Sequence, residues 1–221
     1  MPDGAISEPP GQGRGRTGRP PLTEQRKAEI RLEIARAAVE LFVAHGVAAT
    51  TGEQIGQAVG VSARTVWRYF PSKESCVSPL FAAGIDAIAA ALRAWRPDQP
   101  LEDALEAATT AGAGPMARPH LPNVRALLRL TRTEPGLRAV WLQAHDEAEP
   151  VFARALADRA GLAAVDLRSE IQAAMLNAAL RTAVEHYAWR GDEEQSDPAT
   201  ARAELVATVR SALAVAAEGL A

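Results

Sequence analysis

Between Ser62 and Phe70 the chain carries Arg64, Thr65, Trp67, Arg68 and Tyr69, five side chains able to bond nucleic acid, around the apolar Val66 and Phe70. A guanidinium fits the edge of guanine or a phosphate through two parallel hydrogen bonds, and hydroxyl and indole N–H groups reach phosphate oxygens. Projected on a helix at about 100° per residue, Val66 and Phe70 fall on one side and Arg64 and Arg68 on the other, with Thr65 and Tyr69 between them. One side packs and the other is cationic and exposed, which suits a helix lying in the DNA major groove. Thr51 and Lys73 flank this stretch. Both are expected to hold phosphates, Lys73 through its ammonium in the first turn of a following helix.

The elements that must position these groups are legible around them. Thr50 to Glu74 reads as two short helices joined by a tight turn, a helix-turn-helix pattern. Thr51 caps the first, whose Ile55, Ala58 and Val59 share a face, and Gly60 ends it in the left-handed region. Ser62 caps the second, and Ser72 is expected to cap a helix continuing to about Trp95. Upstream, Ile30, Ile34, Ala37, Ala38, Leu41 and Phe42 recur at helical spacing from Thr23 to His45, and Gly46 closes that helix. Residues 1–22 are rich in Pro and Gly and poor in apolar side chains, so they read as a disordered basic arm. Its Arg14, Arg16 and Arg19 either enter a narrow minor groove or belong to a flexible tail that touches nothing specific.

Composition restricts the function classes. The chain has 221 residues, 48% of them hydrophobic, enough for a core without covalent staples. A single cysteine, Cys76, excludes an intramolecular disulfide or a thiolate cluster and points to a reducing cytoplasm. The apolar segment around Ile85 to Trp95 is interrupted by Asp86 and Arg93, so no membrane span is expected. The formal net charge of −3 is unevenly divided: residues 1–76 hold ten Lys and Arg against eight Asp and Glu, residues 77–221 fourteen against nineteen. The basic end is the helix-turn-helix end. His45, His120, His145 and His186 are scattered without metal-ligand spacing, and Cys76 has no base partner in sequence, so no catalytic centre, metal or cofactor is expected.

These offsets resemble a known pattern. Ala-Val-Glu-Leu-Phe-Val-Ala-His-Gly closing the first helix, then Thr51, Ile55, Gly60-Val61-Ser62, Thr65-Val66, Tyr69-Phe70 and Lys73-Glu74 look like the DNA-binding domain of the tetracycline-repressor (TetR) family of bacterial transcriptional regulators, over roughly residues 26–77. The resemblance implies an all-helical, two-fold symmetric dimer whose C-terminal domain binds a small molecule and alters the distance between recognition helices. It also implies DNA contacts at the positions of Thr51, Arg64, Thr65, Trp67, Tyr69 and Lys73. Gly56 stands where the family usually has Ala, and Trp67 where it usually has Tyr, which loses a phenolic donor but keeps a stacking plane and an indole N–H.

The remainder reads as a helical bundle. Helices are expected at Leu101–Thr110, Pro122–Thr133, Gly136–Ala160 with a kink at Pro150, Val165–Trp189 and Pro198–Gly219. No segment alternates with period two, so no sheet is expected. The fold class is therefore all-α, with about nine helices: a helix-turn-helix domain over 23–77 and an effector-binding and dimerisation domain over 78–221. The last two helices carry the expected homodimer interface, Ala173, Ala174, Ala178, Ala179, Ala212, Ala214, Ala216 and Ala217 allowing close approach and Leu176, Leu180, Leu205, Val209, Leu213 and Val215 supplying area. Candidate effector contacts are Trp95, Leu128, Trp141, His145, Phe152, Met175, Asn177 and Arg181, together with Phe81 and Tyr187. Asn177 and Arg181 stand one turn apart in an apolar helix; if Arg181 reaches a cavity, an anionic effector is the first expectation. The expected function is a DNA-binding repressor released by a small effector. A ligand-independent architectural protein on the same helices, or more remotely an enzyme on a helical bundle, is the rival.

Overall fold

The computed structural model describes residues 23–96, 98–110, 122–190 and 198–218. Arg14, Arg16, Arg19, His120 and the acidic 191–197 loop lie outside the described residues. Within the described residues the chain forms nine α-helices, one short 3-10 turn and no strand, in agreement with the all-α expectation.

Helix α1 (Glu24–His45) begins where the Thr23 hydroxyl accepts the Arg26 N–H and ends at Gly46, whose φ of 82° returns its N–H to the Phe42 carbonyl. Its Ile34, Ala35, Ala38, Val39 and Phe42 are buried. Helix α2 (Gly52–Ala58) is set by a capping box: Thr51 N–H donates to Gln54 Oε1 at 2.7 Å while Gln54 N–H donates to Thr51 Oγ1 at 3.3 Å. Only Ile55 of its expected apolar face is buried; Ala58 is exposed and Val59 half-buried, because the helix ends before the face completes another turn. Gly60, at φ 71°, then lets the chain fold back, and the Val61 N–H reaches the Gly56 carbonyl at 2.8 Å. A Cβ on Gly56 would stand 2.7 Å from the Val61 carbonyl oxygen, so the tight turn itself accounts for glycine at this position.

Helix α3 (Ala63–Tyr69) is capped by Ser62, whose hydroxyl accepts the Thr65 N–H at 3.2 Å. Beyond it, Ser72 exchanges hydrogen bonds with Ser75 at 3.1 Å each way but is not the cap of a long helix: the chain forms a 3-10 turn (Glu74–Val77), preceded by Lys73, before α4 (Ser78–Ala94) starts with Val77 as its N-cap. Pro79 explains the break from the single expected helix: it has no N–H to return to the Ser75 carbonyl. Lys73 is corrected as well. Its ammonium donates to the carbonyls of Val47, Ala48 and Thr50 at 2.6, 3.3 and 3.1 Å, so its three N–H groups are spent on the α1–α2 loop and none remains for a phosphate.

The bundle comprises α4, α5 (Leu101–Thr110), α6 (Pro122–Thr133), α7 (Pro135–Arg159), α8 (Leu167–Arg190) and α9 (Pro198–Glu218), with α7 running through Pro150 as one helix. One core cluster runs from Ile34, Phe42, Ile55, Val66 and Phe70 through Cys76, Val77, Leu80 and Phe81 to Leu127, Leu137 and Trp141. The helix-turn-helix and the bundle therefore share buried surface. A second cluster holds Leu92, Leu105, Phe152, Ala173, Leu176, Leu180 and Leu213. The segment Glu74–Ala94, with a window of mean hydropathy 1.7, is long and apolar enough to cross a membrane by length and composition; its Leu80, Phe81 and Leu92 are buried in these two clusters. Replacing Lys73 by Met keeps the aliphatic stem but strips three loop carbonyls of their donor. Lys73→Met is expected to lower unfolding stability by about 1–3 kcal/mol, read from the urea midpoint; an unchanged midpoint would remove the role assigned to the ammonium.

Candidate functional site

The outward side of α3 is built on its inward one. Val66 is fully buried and Phe70 nearly so, which fixes the helix in rotation and leaves Arg64, Trp67 and Arg68 exposed with Thr65 and Tyr69 half-buried. Ser62 carries two loads with one hydroxyl, capping the helix and lying 3.1 Å from Thr65 Oγ1. Arg68 lies over the Tyr69 ring at 5.1 Å, and Arg31 of α1 reaches the same ring at 5.6 Å. Arg64 faces no carboxylate in any described ion pair. Arg31 escaped the sequence reading because it is far from Tyr69 in the chain, and no local spacing signals their meeting.

Thr51 is exposed, and its Oγ1 serves as cap acceptor, which leaves the hydroxyl proton to donate outward. Trp67, 43% exposed, packs against the start of α2: a Cβ on Gly52 would stand 2.0 Å from its Cζ2. The absence of a side chain at Gly52 thus makes the seat on which the indole rests. Thr51, Trp67, Arg64 and Arg68 are all solvent-exposed on the two helices of this motif.

The structure brings together only part of the expected effector set. Trp141, His145, Asn177 and Arg181 meet between α7 and α8, with Phe81 against Trp141 at 4.9 Å and Trp141 edge-on to His145 at 4.2 Å. His145 Nδ1 is 2.6 Å from Asn177 Oδ1, and Asn177 Nδ2 donates to the His145 carbonyl at 2.9 Å and to Glu149 at 3.0 Å. Glu185, absent from the sequence-derived set, accepts from Trp141 Nε1 at 2.8 Å and from Arg138 at 2.5 Å, and pairs with Arg181 at 3.5 Å. An acidic residue in an amphipathic helix gives no signal of burial until its partners are known.

The other candidates fall elsewhere. Met175 is 45% exposed, because two residues along α8 from Asn177 is the opposite side of the helix. Phe152 sits in the second core cluster, two turns along α7 from His145. Trp95 closes the far end of α4, its indole donating to the Gln99 carbonyl at 2.7 Å under the Arg159 guanidinium. Leu128 is core, and Tyr187 lies beneath Arg125 at 4.6 Å. Two open grooves of about 290 and 360 Å³ adjoin on the outside of the bundle, sharing Arg132 and Trp189; the larger reaches Glu185.

Burial holds the His145 imidazole below its ordinary pKa, with the Asn177 hydrogen bond opposing, so the ring is neutral. Burial, seconded by Glu74, pushes the Cys76 thiol up to about 12, which leaves it protonated and unreactive. No three His, Cys, Asp or Glu side chains among the described residues come together as metal ligands. Of the expected interface residues, Ala173, Leu176, Leu180 and Leu213 are buried within this chain, holding α8 and α9 to their own bundle. Leu167, Ile171 and Met175 of α8 and Val215 of α9 are the large apolar side chains left exposed there.

Residues 34–79 match the sequence profile of bacterial regulatory proteins of the tetR family, and residues 99–221 that of the MftR C-terminal domain. The chain is 37% identical to the HTH-type transcriptional regulator TcmR of Streptomyces glaucescens over 150 residues, 65% of this chain and 66% of that one, just under two thirds of its length. It is 29% identical over 173 residues to a protein named as a mycofactocin biosynthesis transcriptional regulator, MftR, of Mycobacterium tuberculosis, covering 78% and 85% of the two chains. Among solved structures, the fatty acid degradation regulator FadR of Bacillus halodurans superposes with a TM-score of 0.52 at 19% identity, covering 86% of this chain and 95% of that one, a likeness of fold.

The buried neutral His145 makes stability depend on pH. Its folded pKa lies below the 6.5 of a free imidazole, so as pH falls below about 6.5 the unfolded chain takes up a proton that the folded one resists. Arg181, Glu185 and Arg138 modulate the shift, and Glu149 faces the ring's partner Asn177. Stability should therefore be full above that pH and fall on acidification, and His145→Gln should flatten the fall. Urea midpoints across the range would show it; the same pH slope in both proteins would refute it.

Proposed function

The chain belongs to the TetR family of bacterial regulatory proteins and is a DNA-binding transcriptional regulator, and from that premise we propose that it acts as a homodimeric repressor released by a small effector. The observation that carries the reading is the division of α3 into a side locked by Val66 and Phe70 and a side presenting Arg64 and Arg68 to solvent. In a major groove these two guanidiniums read guanine edges, while Thr51, Ser62, Thr65, Trp67 and Tyr69 set register on phosphates. Arg14, Arg16 and Arg19 of the arm over 1–22 extend the footprint into the minor groove.

Dimerisation serves an arithmetic need. One seven-residue helix offers few base contacts of about 1–3 kcal/mol each, and a palindromic operator read by two copies doubles them. The exposed Leu167, Ile171, Met175 and Val215 give the bundle a face for a second chain. We place the effector in the domain over 78–221, at the polar cluster around His145 and Asn177, and the head over 23–77. The anionic effector expected from Arg181 is dropped, since Glu185 already opposes that guanidinium.

Effector binding acts by population shift toward a dimer whose two α3 helices no longer fit successive grooves. The route is short: α1 packs on α6, and the Glu74 side chain lies where a Cβ on Gly136, at the start of α7, would stand 2.8 Å away. No step of this involves covalent chemistry, and the site of action is where the DNA is, the bacterial cytoplasm. An operator selected from random duplexes tests the DNA half. Arg64→Ala should weaken that operator by about 1–3 kcal/mol per half-site and leave random duplex binding unchanged, whereas Tyr69→Phe should weaken both alike. Equal losses on both duplexes for Arg64→Ala would sink the assignment of α3 as the reading helix.

A further inference from the structure

The hydrogen bonds around Asn177 fix the protonation of its neighbour. Asn177 Nδ2 faces two groups that only accept, the His145 carbonyl and the Glu149 carboxylate, so the amide cannot be turned over. Its Oδ1 therefore faces His145 Nδ1 at 2.6 Å, and since an amide oxygen cannot donate, Nδ1 carries the proton. A neutral imidazole protonated at Nδ1 has a bare lone pair at Nε2. Among the described residues that atom is buried without a partner, in a residue only 8% exposed.

An unanswered buried acceptor is costly and therefore specific. The surroundings sharpen the specification. The Trp141 indole N–H is taken by Glu185, both Asn177 protons are placed, and the guanidiniums of Arg138 and Arg181 are opposed by the same Glu185 carboxylate. An anion would have to compete with that carboxylate, while a donor would answer the one atom of the cluster left unpaired. The wall beside it is aromatic, made by Trp141 and Phe81. From outside, the groove of about 360 Å³ reaches Glu185, one of whose three partners is Trp141, so solvent comes within one residue of the ring pair.

We propose that His145 Nε2 is the hydrogen-bond acceptor for the effector, which is an uncharged, ring-bearing molecule presenting a hydroxyl. This rests on the reading of the cluster as the effector site given above. Specificity of this kind is strong because a ligand lacking the donor leaves the acceptor buried and unpaired, and one carrying a carboxylate has to compete with Glu185 for Arg138 and Arg181.

Three probes on one ring system separate the possibilities on the full chain: 2-naphthol donates, 2-methoxynaphthalene only accepts, and 2-naphthoate is an anion. Titration calorimetry should show 2-naphthol binding about tenfold tighter than either analogue. His145→Phe, which keeps a ring and removes the acceptor, should abolish the preference. Should that variant not fold, nitrogen NMR of a chain with His45, His120 and His186 changed to Gln decides. The remaining histidine should be protonated at Nδ1, with its Nε2 resonance moving upfield on adding 2-naphthol and not 2-methoxynaphthalene. Protonation at Nε2, an analogue binding as tightly as 2-naphthol, or no binding by any of the three overturns the proposal. Operator release is scored separately. A metabolite that frees the operator while 2-naphthol fails to bind overturns the donor rule and keeps the effector reading; 2-naphthol bound in the predicted way, with no compound freeing the operator, does the reverse.

Discussion

Everything that α3 presents to solvent depends on two side chains that it hides. A helix of seven residues is too short to hold itself together in water, since nucleation consumes more order than so few hydrogen bonds return. Val66 and Phe70 supply what propensity cannot, entering a core that already contains Ile34, Phe42 and Ile55. Burial sets rotation as well as stability: with Val66 inward, Arg64 and Arg68 have nowhere to point but out. The Ser62 cap, the left-handed Gly60 and the close passage of Val61 over Gly56 then fix where the helix starts. A cationic face without that anchor would be an average over many orientations, and groove recognition needs one.

The same core makes the head part of the bundle's mechanics. Cys76, Val77, Leu80 and Phe81 continue the cluster directly from the helix-turn-helix to α6 and α7, and Trp141 is at once a member of that core and a partner of His145 and Glu185. A closely packed interior shifts between discrete arrangements because it cannot deform smoothly. Repacking Trp141 around a bound ring would therefore be felt at Phe81 and α4. Lys73 adds a second tie, its ammonium gathering three carbonyls of the α1–α2 loop beside the turn that leads into α4.

Local information sufficed for much of this. Caps at Thr51 and Ser62, left-handed glycines at 46 and 60, and the limits of α5 and α6 follow from residue type and short spacing, and those signals act within a few residues. The division of α3 into two sides was legible for the same reason. What escaped the sequence depends on partners distant in the chain. Lys73 read as a phosphate hook because its position before a helix is local, whereas its three carbonyl partners lie more than twenty residues upstream. Met175 and Asn177 read as one lining, although helical geometry puts them on opposite sides; Glu185 drew no notice, because its partners Trp141, Arg138 and Arg181 are either distant in the chain or give no local signal of its burial.

The polar cluster between α7 and α8 is expensive to keep. A chain that is 48% hydrophobic has Leu and Phe to spare for such a position, and replacing a buried polar set by well-packed apolar side chains is often neutral or stabilising. Here the cluster is nearly closed: each indole and amide proton has an acceptor, and one carboxylate serves two guanidiniums. Had the whole set been satisfied, it would read as a device for holding α7 to α8. The single open valence at His145 Nε2 separates the two readings, because an internal brace has no use for an unpaired acceptor while a receptor requires one. Its polarity matters too. A bundle that felt its signal through a free guanidinium would respond to any small anion in the cell; one that keeps its cations paired and offers a lone pair beside aromatic rings responds to shape and a donor together.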